Sequence, residues 1–325
     1  MANHPKHQGN RRLEKKLAAL QPKTRDDYRK LASHFYSERL DDQPPTPKRV
    51  RDALRLAAAD WRPDYWRRVR NALMYDQVAR GYYDNGEAIE TIKNPVSCPQ
   101  TAKDRELRES VNGKPGRRQK RVKKVSGEDL GKLWAYVNGE LEDDEVAAAI
   151  VIATRTGARP AEMLGIRCMA DNVVFIPGAK KTKAGDRGLD RYIKLSDYDW
   201  RGVKMSVDIL AKADPGKAGT MHKVQERLRT ATKRLWPRRK SHPTLYTWRY
   251  EMGSELKASG LSRREVAYLM GHQSEQSVDR YGDRRSGSGR MPMRAAPGAD
   301  MSGVRAGYRE PFTPSLEASS GPRLG

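Results

Sequence analysis

The sequence predicts a two-domain, mainly α-helical protein with a small β-sheet in its second half. Three observations carry that prediction. Apolar residues recur at three- and four-residue steps through much of both halves, the mark of helices that bury one face. Between the halves lies KPGRRQKRVKK, residues 114–124, with seven lysines or arginines in eleven residues and no acid, a run unsuited to a core and suited to an exposed connection. Two short apolar runs, Val173 to Ile176 and Arg191 to Leu195, are joined by GAKKTKAGDRGLD and read as strands.

In chain order, residues 1–22 are polar and basic, without a convincing apolar period until their end, and are expected to form a flexible N-terminus. A helical domain is expected over 23–112. Its first helix runs from about Thr24 to Leu40 with Tyr28, Leu31 and Phe35 on one side, and Pro44, Pro45 and Pro47 break the chain after it. The next begins near Thr46 and carries Val50, Leu54, Ala57 and Ala58; a third, from about Arg62, carries Tyr65, Trp66, Val69 and Leu73. Arg62, Arg67, Arg68 and Arg70 interleave with these aromatics, so Arg67 and Arg68 are candidates to contact phosphates while the rings stay in the core. The basic linker, 113–125, adds Arg117, Arg118, Lys120, Arg121, Lys123 and Lys124 to those candidates.

A second domain is expected over 126–285. Ser126 or Asp129 can cap the helix that carries Leu130, Leu133, Trp134 and Val137, and the acidic LEDDE introduces the apolar helix VAAAIVIATRTG. Gly157 interrupts that helix just before Arg159, and Pro160 suits the first turn of the next. Further on, Leu245, Trp248, Met252 and Leu256 define a helix ended by Gly260, and a short helix follows with Ser262 and Glu265 as a capping box and Gly271 as its stop. Residues 286–325, rich in Gly, Ser and Pro, are expected to be a flexible tail in which Val304 or Tyr308 could dock on a neighbouring protomer.

Composition narrows the partner. A formal charge of +23, a pI near 10.0 and a mean hydropathy of −0.89 favour an anionic polymer or a membrane. No apolar run approaches the length that crosses a bilayer and MANHPKHQGNRR lacks a signal peptide's apolar core, so nucleic acid is the better partner and a cytoplasmic setting is expected. Cys98 and Cys168 resemble neither a disulfide framework nor a metal cluster, and His4, His7, His222 and His242 stand without a liganding set. No metal or cofactor is expected.

Arg249 sits mid-helix on an otherwise largely apolar face, His272 follows a helix-ending glycine, and Tyr281 comes nine residues later. That order suits phosphoryl transfer. Guanidinium groups meet the charge that grows on non-bridging phosphate oxygens, and a tyrosine hydroxyl can attack the phosphorus if its proton is drawn off.

These residues carry a resemblance to the tyrosine site-specific recombinases, or phage-type integrases. Their first block, Thr-Gly-x-Arg with a glutamate three residues on, is matched by Thr156-Gly157-Ala158-Arg159 and Glu162. Their second, His-x-x-Arg, then Leu-Gly-His, then a tyrosine about nine residues later, is matched by Tyr246-Thr247-Trp248-Arg249, then Met270-Gly271-His272, then Tyr281. Two positions depart from the pattern: Tyr246 replaces a histidine and Met270 a leucine. The resemblance is specific from Thr156 to Tyr281 and weaker before.

The resemblance implies an N-terminal helical core-binding domain and a mixed α+β catalytic domain with a small, three-stranded antiparallel sheet. It implies Arg159 and Arg249 as phosphate contacts, His272 as a donor to phosphate or a group that helps activate Tyr281, Glu162 in support, Tyr281 as nucleophile, and Tyr246 as a phosphate hydrogen bonder that is a poorer proton shuttle than histidine. A lysine of the strand-joining loop is implied as the acid for the leaving 5′ oxygen; Lys183 fits best, with Lys180 and Lys181 open because loop length does not set the register. The implied function is ATP-independent cleavage and rejoining of double-stranded DNA at paired recognition sites through a 3′ phosphotyrosyl bond. A homotetramer on synapsed DNA, a nucleoid-associated prokaryotic or mobile-element setting, and accessory proteins that bend DNA or set direction are implied with it. A type IB-like topoisomerase and a non-catalytic sequence-specific DNA-binding protein are the alternatives.

Overall fold

A computed structural model describes residues 6–41, 43–111, 122–179, 188–213 and 220–307. The expected Arg117, Arg118, Lys120, Arg121, Lys180, Lys181, Lys183 and Tyr308 lie outside the described residues. The chain divides into two compact units, the second beginning after residue 119.

The N-terminal unit is all helical: α1 (Lys6–Ala18), α2 (Pro22–Arg39), α3 (Pro47–Leu56), α4 (Pro63–Ala79), α5 (Tyr83–Thr91) and α6 (Ala102–Ser110). Prolines open α2, α3 and α4, where the missing N–H would have had no helical partner. Leu13, Phe35, Leu54, Trp66, Leu73 and Ile89 form the core.

The first segment departs from expectation. Over Lys6–Ala18 it is helical, because Leu13 and Leu17, one turn apart, bury in this core and α1 packs on α5. Arg67 and Arg68 lie on the exposed face of α4, Arg67 3.4 Å from Asp64. Arg70 has turned inward, its guanidinium over the Trp66 ring and donating to the Ile92 carbonyl.

A line of polar side chains crosses this unit. Arg51 donates to Asn85 Oδ1 (2.5 Å), Asn85 to Gln77 Oε1 (2.7 Å), Gln77 to the Tyr36 hydroxyl (3.1 Å), and that hydroxyl to Asp76 (2.7 Å), which also accepts from Arg80. None of these side chains has a buried polar atom without a partner.

The C-terminal unit is built on α8 (Asp144–Thr156), whose VAAAIVIA stretch is apolar nearly all round and therefore buried, with alanines that let neighbours approach closely. Around it pack α10 (Asp197–Ala213), α11 (Thr220–Leu235) and α12 (Leu245–Ala258), with α7 (Gly127–Ala135), the short α9 (Pro160–Met163) and α13 (Arg263–Leu269) completing the unit. The end of the expected linker belongs here too, since Val125 is buried in this core and its N–H donates to Glu251.

The sheet is antiparallel and has four strands rather than three: β1 (Arg167–Cys168), β2 (Val173–Ile176), β3 (Arg191–Lys194) and β4 (Arg294–Ala295), in that order. The central register pairs Val173 with Lys194 and Ile176 with Arg191.

β4 corrects the expected tail. Residues up to 307 are docked on their own unit, with Ala295 opposite Ile193, Met293 and Val304 buried, and Arg305 bridged to Ser274. Val304 thus fills its own core instead of offering a docking residue to a neighbour. The physical reason is that the open edge of β3 has backbone groups to satisfy, and a strand from the tail satisfies them.

Candidate active site

Five segments converge. Arg159 caps α9, and Glu162 lies one turn into it; Arg191 opens β3; Arg249 lies in the middle of α12; His272 follows α13; and Tyr281 ends a 3-10 turn, Glu275–Arg280. Glu162 is the hub. Its carboxylate accepts from the Arg159 side chain (2.5 Å), the Arg159 backbone N–H (2.9 Å) and Arg191 Nη2 (2.9 Å). Burial alone would raise its pKa, but the charges of Arg191 and Arg159 overcome that and hold it down at about 2.

Arg249 is fully buried, donating to the Gly157 carbonyl at 2.6 Å and to the Met270 carbonyl, with Nη2 3.1 Å from His272 Nε2. Because a guanidinium only donates, Nε2 must accept, which assigns the His272 proton to Nδ1. Burial, then the charges of Arg249, Arg159 and Arg191, push the His272 pKa down to about 2, so the ring is neutral. His272 is therefore built as a hydrogen-bond donor rather than as a cation. The same burial, reinforced by Arg159 and Arg191, lowers the pKa of Arg249, whose guanidinium nevertheless stays charged.

Gly271 allows the close approach. Its φ is +61°, and a Cβ there would lie 2.5 Å from Arg191 Nη1 and 3.3 Å from Arg159 Nη1, while its carbonyl accepts from Arg159 Nη2 at 3.3 Å. The Tyr281 ring packs beside His272, centroids 5.2 Å apart, and 4.9 Å from the Arg249 guanidinium carbon.

The Tyr281 segment is seated on α12 of the same chain. Gly282, at φ +74°, presses against the Gly253–Ser254 peptide so closely that any Cβ would collide with it. Ser254 Oγ accepts the Asp283 N–H, and the buried Lys257 ammonium donates to the Gly282 carbonyl at 2.9 Å.

The structure thus brings together Arg159, Glu162, Arg249, His272 and Tyr281. Tyr246, one turn before Arg249, is 44% exposed. Lys123 lies over the Tyr250 ring and Lys124 reaches the Ser286 carbonyl, both exposed. Sequence reasoning missed Arg191 and Lys257. For Arg191 a signal existed: in RYIK it alternates in phase with Ile193, so a strand that buries Ile193 buries Arg191 as well.

The charges do not balance. Among the described residues three guanidiniums face one carboxylate, an excess of two positive charges in a site where Glu162, Arg191 and Arg249 have no exposed surface. Arg191 Nε and Nη1, Arg249 Nε and His272 Nδ1 are buried without a hydrogen-bond partner. Donors left over around a positive excess suit an anion with several acceptor oxygens. Among the described residues no group of His, Cys, Asp and Glu could hold a metal ion, and no helix is long and apolar enough to cross a membrane.

No protein-family model matches the chain, and no curated protein sequence matches it. Solved structures do. The Tn1549 transposon integrase in complex with a circular intermediate DNA is 12% identical, with a TM-score of 0.55, over 85% of this chain and 94% of that one. A lambda integrase tetramer bound to a Holliday junction is 16% identical, with a TM-score of 0.50, over 84% of this chain and 79% of that one. At these identities the likeness speaks for architecture: the chain has the tyrosine-recombinase fold.

Proposed function

We propose that this protein cuts and rejoins double-stranded DNA at specific sites, with Tyr281 as nucleophile. The observation that carries the reading is the buried excess of positive charge, with its unpartnered donors, directly beside the Tyr281 ring. A phosphodiester brought there would have its non-bridging oxygens met by Arg159 and Arg249 and by the Nδ1 proton of His272. These bonds strengthen as charge grows on the oxygens in the transition state, which is what accelerates the step.

The Tyr281 oxygen attacks phosphorus and gives up its proton to water. The bond to the 5′ oxygen breaks, that oxygen takes a proton, and a 3′ phosphotyrosyl bond remains. Because the ester keeps the energy of the broken bond, a 5′ hydroxyl from another strand can reverse the step without ATP. Neutral His272, its Nε2 already accepting from Arg249, serves as donor to phosphate rather than as base. Tyr246 can hydrogen-bond the phosphate where a histidine would, and Lys183, or else Lys180 or Lys181, supplies the leaving-group proton. Arg67, Arg68, Lys123 and Lys124, together with Arg117, Arg118, Lys120 and Arg121, are proposed to follow the DNA backbone.

Paired sites, a homotetramer during strand exchange, accessory proteins that set direction, and a cytoplasmic, nucleoid-associated setting belong to the same reading. The lambda integrase structure, a tetramer on a Holliday junction, supports it by analogy of fold. The test is covalent capture: the wild-type chain, incubated with DNA from its own genomic neighbourhood, should form an SDS-resistant adduct mapping to Tyr281. Tyr281→Phe should bind the same DNA and form none. An adduct at wild-type yield on another residue would sink the assignment, and relaxation of any supercoiled DNA without paired sites would favour a topoisomerase.

A further inference from the structure

Arg191 has no part in the chemistry above, yet burying its charge carries a cost. It points inward from β3 with no exposed surface. One edge of its guanidinium donates to Glu162, the carboxylate that also grips Arg159 by both side chain and backbone. Neutralising Glu162 does not require it, since Arg159 already does so, and a third buried cation beside two others destabilises the free protein. Its Nη1 and Nε have no partner, and Nη1 lies against Gly271, the residue that delivers His272 and accepts from Arg159. Nor is its place loose: the next N–H, of Tyr192, donates to the Tyr268 hydroxyl at 2.9 Å, tying β3 to α13.

We propose that Arg191 is a positioning residue of this site, holding Glu162, and through it Arg159, in the orientation that meets phosphate, and supplying a fixed positive charge beside the Gly271–His272 turn. The assignment rests on the DNA-cleaving reading. A like-charged neighbour that is unfavourable in the free protein becomes favourable as the phosphate gains negative charge, so its effect falls on the chemical step more than on binding.

The test compares wild type, Arg191→Met and Arg191→Lys as full chains on the DNA fragment that the wild type cleaves. The methionine variant should keep its circular dichroism and bind within threefold of wild type, yet form the adduct at least 100-fold more slowly at saturating protein. Lysine should recover at least tenfold of that loss. A second readout needs no DNA. The groups facing His272 are Arg249, Arg159, Arg191, Glu162 and Tyr281; removing the Arg191 charge should let the ring signals of His272 in NMR titrate at higher pH than in wild type.

A methionine variant that cleaves within threefold of wild type overturns the proposal. So does a parallel loss of binding and cleavage with an unchanged His272 titration. If the methionine variant fails to fold, the lysine variant decides: cleavage at least tenfold slower with unchanged binding supports the role, and a wild-type rate overturns it. A wild type that forms no adduct on any DNA sinks the cleavage reading instead, and the His272 titration then decides whether Arg191 acts on this cluster.

Discussion

Two buried polar clusters, one in each unit, differ in a way that separates structure from chemistry. The line from Arg51 through Asn85, Gln77, Tyr36 and Asp76 to Arg80 matches donor to acceptor at every buried atom. The cluster of Arg159, Glu162, Arg191, Arg249 and His272 leaves four nitrogens unmatched and carries excess positive charge. A satisfied network fixes how helices pack and asks for nothing further. An unsatisfied, charged one is costly to the free protein and is understandable where a ligand completes it.

The largest expected effect that could break this comparison is on rate. Arg249→Ala should slow adduct formation by about 1000-fold, about 4 kcal/mol of barrier, while changing DNA affinity far less. Equal losses in binding and cleavage across protein titrations would make Arg249 an ordinary phosphate anchor.

The next is on stability against pH. The pKa of His272 is depressed in the folded protein to about 2, so its stabilising contribution is complete above the unfolded value of about 6.5 and is lost as pH falls below it. Between about pH 6.5 and 4.5 the wild type should lose up to about 1.4 kcal/mol per pH unit more than His272→Gln. Identical slopes in urea melts would mean that the ring is not held neutral.

Smaller still, Gln77→Leu should cost about 2 kcal/mol of stability by leaving the Asn85 amide and the Tyr36 hydroxyl short of a partner, with the cleavage rate per folded molecule unchanged. The smallest effect sharpens the contrast without DNA. Inorganic sulfate at about ten times its dissociation constant should stabilise the wild type by about 1.4 kcal/mol through the unmatched donors. Arg249→Ala should respond only with the general salting effect, and an equal shift in both proteins would remove the anion site from the argument.

Much of the site is legible in the chain because spacing along helices and turns is a local property. Arg159 three residues before Glu162, Arg249 in a helix, and His272 nine residues before Tyr281 keep those relations wherever the elements pack. The strands at 173 and 191 and the helices α2, α3, α4, α7, α8, α12 and α13 were readable for the same reason.

Other features depend on partners distant in sequence. The leucines of α1 look like a polar tail's stray apolar residues until the face they cover is known, and the Gly- and Pro-rich tail becomes β4 only because β3 offers an edge about a hundred residues earlier. Arg191 is in phase with the buried Ile193, but what it faces is known only once Glu162 is found behind it. The sequence by itself determined the two central strands, the helices with a clear apolar period, the order of the reactive groups and the basic charge, since these follow from local geometry and composition. Only the tertiary structure decided that His272 is neutral and that three guanidiniums share one carboxylate, because burial and charge proximity are properties of the packed chain.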